Sequence, residues 1–112
     1  MPKQSTELNQ IFHALADPTR MAVIARLAEG PAAVSELARP FDMALPSFTQ
    51  HLGVLEKNGL VRSRKRGRSR TYQLRADTLK LATTWLEERG TLWEKRLDQL
   101  DEVLLTLKKE NE

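Results

Sequence analysis

Cysteine is absent from this 112-residue sequence, and only two histidines, His13 and His51, occur in it. Without thiols, disulfides, thiolate metal sites and cysteine redox switches are excluded together, which fits a reducing compartment. Two histidines far apart make no His cluster, so neither a metal nor another cofactor is expected. Aromatic residues make up 5% of the chain. No apolar run approaches the ~18–20 residues of a membrane span, and MPKQSTELNQ holds no apolar stretch behind its charge, so a cytoplasmic location is expected. There is no glycine-rich phosphate loop of the GxxxxGK[ST] kind and no carboxylate pair on an apolar face. An enzyme is therefore not expected.

What is present suits one folded domain over residues 1–112: 40% of residues are apolar and 29% charged. A chain of this size buries only about two-thirds of its unfolded surface, so association with a second copy would add to a marginal core. The charge is unevenly placed. Residues 1–59 carry five basic and six acidic residues, and residues 76–112 carry six basic and nine acidic. Between them, Arg62, Arg64, Lys65, Arg66, Arg68, Arg70 and Arg75 stand without a single acid. A cationic segment of that density attracts a polyanion, of which nucleic acid is the commonest.

Periodicity predicts the elements. Leu8, Ile11, Phe12 and Leu15 behind Ser5-Thr6 mark a first amphipathic helix. Asp17-Pro18 supplies an N-cap and a first-turn proline for a second, which shows Met21, Ile24, Leu27 and Ala28 on one face and stops at Gly30-Pro31. A short third helix runs from about Val34 to Arg39 before Pro40. Leu45-Pro46-Ser47 opens a fourth, with Leu45, Phe48, Leu52 and Leu55 inward, and Asn58-Gly59 closes it. The period then changes: Leu60-Val61 and Thr71-Tyr72-Gln73-Leu74, joined across Arg66-Gly67-Arg68-Ser69, read as a two-stranded hairpin with Tyr72 and Leu74 on one face. From Thr78, helical period returns. Leu79, Ala82, Leu86, Trp93, Leu97, Leu100, Leu104 and Leu107 alternate steps of three and four, with Gly90 at the one seam place lacking a side chain. So long a seam needs a second helix of equal length, and the same helix of another copy is the natural partner.

Two helices joined by a short turn, the second showing small polar residues and followed by a basic hairpin, suit duplex DNA. A major groove about 12 Å wide admits one helix, whose first-turn side chains reach base edges. Ser47, Thr49, Gln50 and His51 on the fourth helix are the candidate contacts, with Gln50 able to bond adenine twice. Lys65, Arg66, Arg68 and Arg70 on the hairpin would meet phosphates or the adjacent minor groove. The alternative of another class is a protein-binding module whose hairpin docks on an acidic partner.

Several stretches together resemble the ArsR-type winged helix-turn-helix repressors of bacteria: Ala16-Asp17-Pro18-Thr19-Arg20, Glu36-Leu37-Ala38, Leu45 through Leu52, Leu55 through Val61, and Gly67-Arg68 with Tyr72-Gln73-Leu74. The resemblance covers roughly residues 8–75, in order and spacing, leaving 76–112 as a long terminal helix. It implies a mainly α fold with a β-hairpin wing, in the order α-α-α-α-β-β-α. It implies a homodimer through the first and last helices, placing Leu8, Ile11, Phe12, Leu86, Trp93, Leu97, Leu100 and Leu104 at the interface. The fourth helix would be the recognition helix, and repression would be relieved by an effector, here unidentified. Metal-sensing members carry cysteines after the Glu-Leu of the third helix; here Ala38, Arg39 and Pro40 follow instead.

Overall fold

The computed structural model describes residues 3–110, with side chains from Glu7 onward. In chain order the elements are α1 (Lys3–Leu15), α2 (Pro18–Leu27), β1 (Ala32–Ala33), α3 (Val34–Ala38), α4 (Leu45–Lys57), β2 (Val61–Arg66), β3 (Ser69–Leu74) and α5 (Ala76–Glu110). The chain divides into two compact units, one ending at Ala82 and one starting at Thr83, so the division falls inside α5.

The first unit is a small helical body closed by an antiparallel sheet of order β1-β3-β2. The core joins Ile11 and Ala14 of α1, Val23, Ile24 and Leu27 of α2, Leu37 of α3, Phe48, Leu52 and Leu55 of α4, Val61 and Tyr72 of the sheet, and Ala82 of α5. β1 was not expected. Its two residues pair with Tyr72 and Thr71, too short a stretch to show alternation in sequence.

The helix ends follow local chemistry. Asp17 caps α2, its carboxylate accepting from the Arg20 N–H at 3.0 Å, with Pro18 in the first turn. At the end of α4, Leu60 N–H reaches the Leu55 carbonyl and Gly59 N–H the Glu56 carbonyl, at 3.0 and 3.1 Å. This Schellman closure needs a left-handed residue, and Gly59 supplies it at φ +76°. The β2–β3 turn is two residues long, with Gly67 at φ +60° and Arg68 outside the left-handed region, as a type II′ hairpin requires.

Several positions depart from expectation. The helical face of α2 that is buried runs through Val23, Ile24 and Leu27, while Met21 is 58% exposed and Ala28 lies on the surface. Leu45 is 56% exposed, so α4 buries a stripe starting at Phe48. A stripe drawn from apolar identity alone overran the true contact face at both helix ends. Ile11, expected at an interface with a second copy, packs instead in its own chain's core at 2% exposure; Leu8 and Phe12 are half-buried. α1 starts at Lys3, ahead of the expected Ser5-Thr6 cap, whose side chains lie outside the described residues. α5 starts at Ala76 and is helical through Gly90.

The second unit is the remainder of α5. No residue from Thr83 to Glu110 is buried, and its seam residues Leu86, Trp93, Leu97, Leu100, Leu104 and Leu107 are 50–61% exposed. Leu92, Val103 and Leu105 widen the apolar strip. Arg89 lies over the Trp85 ring at 4.9 Å and Arg96 over Trp93 at 5.8 Å, covering one face of each indole.

Candidate nucleic-acid interface

α4 divides cleanly between packing and presentation. Phe48, Leu52 and Leu55 are fully buried at i, i+4, i+7, which leaves Ser47, Thr49 and Gln50 on the surface of the first turns. Pro46 sits in the first turn, where its missing N–H costs no helical bond. Thr49 donates to the Pro46 carbonyl at 3.0 Å, so its proton is used inside the helix while its oxygen can still accept. Ser47 and Gln50, three residues apart on one face, form no side-chain hydrogen bond among the described residues. Their donors and acceptors face solvent uncommitted.

His51 behaves differently from its neighbours. Its Nδ1 lies 3.1 Å from Nη1 of Arg20 on α2 and 3.7 Å from Oδ2 of Asp17. A guanidinium only donates, so Nδ1 accepts and the remaining proton of a neutral ring stays on Nε2. Arg20 also donates from Nε to the Ala14 carbonyl and from Nη2 to the His13 carbonyl, at the end of α1. One side chain thus links α1, α2 and the recognition-type helix α4. In the sequence Arg20 stands out only within the Ala16–Arg20 stretch, because its contact with His51 spans 31 residues and no local spacing signals it.

Asp17 anchors the same cluster. The Arg20 N–H holds its carboxyl below the ordinary value of 3.8, partly opposed by burial, with His51 and the Arg20 charge adding to the lowering. A depressed folded-state pKa stabilises above about 3.8 and is lost as pH falls through the folded value. Asp17→Ala is expected to cost about 1 kcal/mol at pH 7, the usual worth of an N-cap. Asp17→Asn keeps a capping oxygen and should cost only a few tenths there, but flatten the acid limb of stability. Urea midpoints at pH 7 and near pH 3 measure both.

The wing residues do not form one patch. In the β2–β3 register, Val61 pairs with Leu74, Ser63 with Tyr72 and Lys65 with Arg70, on the face that packs inward at its base. There Ser63 donates to Glu56 of α4 at 2.6 Å and Arg70 Nη1 donates to Ser63 at 2.7 Å. Lys65 and Arg70 therefore occupy the α4 side, Arg66 the opposite face, and Arg68 the turn itself. The Tyr72 hydroxyl, on the same inner face, is pushed up from its ordinary value by burial and the Glu56 charge, so it stays protonated.

A helix-turn-helix with an uncommitted polar first turn on its second helix, followed at once by a cationic two-stranded wing, defines the winged helix-turn-helix class of DNA-binding proteins. Comparison with known proteins narrows this. Residues 15–64, from the end of α1 into β2, match the helix-turn-helix domain family. Over 66 residues the chain is 48% identical to the HTH-type transcriptional regulator Rv2034 of Mycobacterium tuberculosis, covering 59% of this chain and 62% of that one, less than two thirds of its length. It is 35% identical over 77 residues to the biofilm growth-associated repressor of Agrobacterium fabrum, covering 69% and 66% of the two chains. A solved ArsR family transcriptional regulator is 55% identical, with a TM-score of 0.73 over 79% of this chain and 97% of that one. The chain belongs to the ArsR family of winged helix-turn-helix transcriptional regulators.

Proposed function

We propose that two copies of this chain bind an inverted repeat in duplex DNA and repress transcription from it, acting in the cytoplasm by binding and not by catalysis. Each copy lays α4 in a major groove, where Ser47 and Gln50 read base edges and Thr49 accepts from the DNA. Arg68 at the wing turn, with Lys65, Arg66 and Arg70, meets the neighbouring backbone or minor groove. His51, tied to Arg20, seats α4 and offers only its Nε2 edge outward. The observation that carries this reading is the pair of uncommitted polar side chains at the start of α4, immediately beside a wing without acids. Self-association through the exposed α5 seam, with Leu8 and Phe12 of α1 as a second patch, brings two such helices to one duplex.

Half-site centres should then lie about one turn, 34–36 Å, apart, which footprinting on recovered genomic sites measures. Gln50→Ala is expected to relax preference at one base position in each half-site, losing about 1–3 kcal/mol of discrimination there. Equal losses on all sequences would remove Gln50 from the reading role.

A further inference from the structure

The outer face of the sheet carries a basic row of which only Arg66, nearest the turn, belongs to the contacts proposed so far. On β2, Arg62 and Arg64 alternate with the inward Val61, Ser63 and Lys65, and Arg66 continues their line towards the turn. Opposite them in register on β3 stand Gln73, Thr71 and Ser69. Gln73 accepts from Nε and Nη2 of Arg62 at 3.4 and 3.3 Å, orienting the guanidinium while leaving its charge uncompensated. All three arginines are exposed, and the ion pairs among the described residues involve none of them. With Pro31 they line one shallow, open groove.

The shape of the row selects the ligand. Side chains two apart on a strand are separated by about 6.6 Å, close to the step between successive phosphates of one nucleic-acid strand. A line of exposed charges at that spacing fits an extended backbone better than a compact anion, which would need an enclosed pocket. Its direction selects the segment of duplex. The inner face of the wing is bonded to α4 through Ser63 and Glu56, so the outer row faces away from the helix that would occupy the half-site.

We infer that Arg62, oriented by Gln73, together with Arg64 and Arg66 along the same line, forms a phosphate track for duplex lying outside the half-site. It lengthens the footprint and raises affinity without reading sequence. This rests on the operator binding proposed above, and its test separates the two. Binding is measured by titration at several salt concentrations on two duplexes: the bare inverted repeat, and the same repeat with about one helical turn, ten base pairs, of arbitrary sequence added on each side.

The native protein should bind the flanked duplex about tenfold tighter at low salt, with a salt slope steeper by about 0.9 for each added phosphate contact. Arg62→Gln with Arg64→Gln should erase both gains yet bind the bare repeat as the native protein does, which also reports that the variant is folded. Arg62→Lys with Arg64→Lys should keep most of the gain, because a phosphate accepts a point charge. Absence of any flank effect in the native protein, or equal losses by the Gln variant on both duplexes, overturns the track. A native protein that prefers neither duplex to unrelated DNA overturns the proposed function itself.

Discussion

Leu97→Glu combined with Leu100→Glu is expected to leave the chain monomeric at micromolar concentration and to weaken binding to an inverted repeat by about a hundredfold or more, the usual margin lost with bivalency. From Thr83 to Glu110 nothing is buried, although Leu86, Trp93, Leu97, Leu100, Leu104 and Leu107 hold a seven-residue repeat and are half-exposed or more. A solitary helix of mixed composition is marginal in water, since most helical stability comes from packing an apolar face. Each leucine sealed in a seam adds on the order of 1 kcal/mol when about half its surface leaves water. A pair of such helices therefore gains several kcal/mol from side chains that a single chain leaves wet. Glutamates at 97 and 100 put like charges beside one another in that seam, which costs both desolvation and repulsion. Sedimentation gives the mass, and circular dichroism on dilution should show helix content falling with dissociation. Asp98→Ala, off the seam, is the control and should change neither. A double variant that remains dimeric with unchanged affinity would place the contact elsewhere.

Much of this architecture was legible because it rests on short-range chemistry. Asp17-Pro18, Asn58-Gly59 and the Gly67 turn each specify a backbone conformation within a few residues, and each stands where the sequence puts it. The change from a 3.6-residue period to alternation located the wing. The rest depends on tertiary neighbours. Met21, Ala28 and Leu45 are apolar yet exposed, because which part of an apolar face meets the core is decided by the crossing of other helices. Ile11, which the family resemblance places at an interface, faces the core of its own chain. β1 exists only by pairing with β3. Of the candidate site, Ser47 and Gln50 lie on the exposed face of α4 that the helical period predicts, while the inward tie of His51 needs Arg20 from another helix. The two faces of the wing are legible in the sequence: a period of two places Arg62, Arg64 and Arg66 together, whereas the summed charge of the segment carries no strand geometry.

Phe48→Ala is expected to cost about 3–5 kcal/mol, the range for emptying a large aromatic from a core. Phe48 is 0% exposed and lies 5.4 Å, ring centre to ring centre, from Phe41, tilted 34° to it. Against a typical total stability of about 5–15 kcal/mol, such a loss leaves a small body near its folding threshold. The same turn of α4 carries Ser47 and Thr49 outward, so the side chains proposed to meet DNA and the ring that seats the helix are neighbours in sequence on opposite faces. The Phe48 variant should show a lowered urea midpoint with an unchanged slope, and operator DNA in excess should restore part of its melting temperature by binding only the folded form. Gln50→Ala should do the reverse, leaving the midpoint in place while altering which sequences bind. Phe48→Leu keeps most of the volume and should cost well under half as much as the alanine. If Phe48→Ala left the midpoint unmoved, α4 would not be seated by this ring, and the geometry that holds Ser47 and Gln50 at the surface would need another anchor.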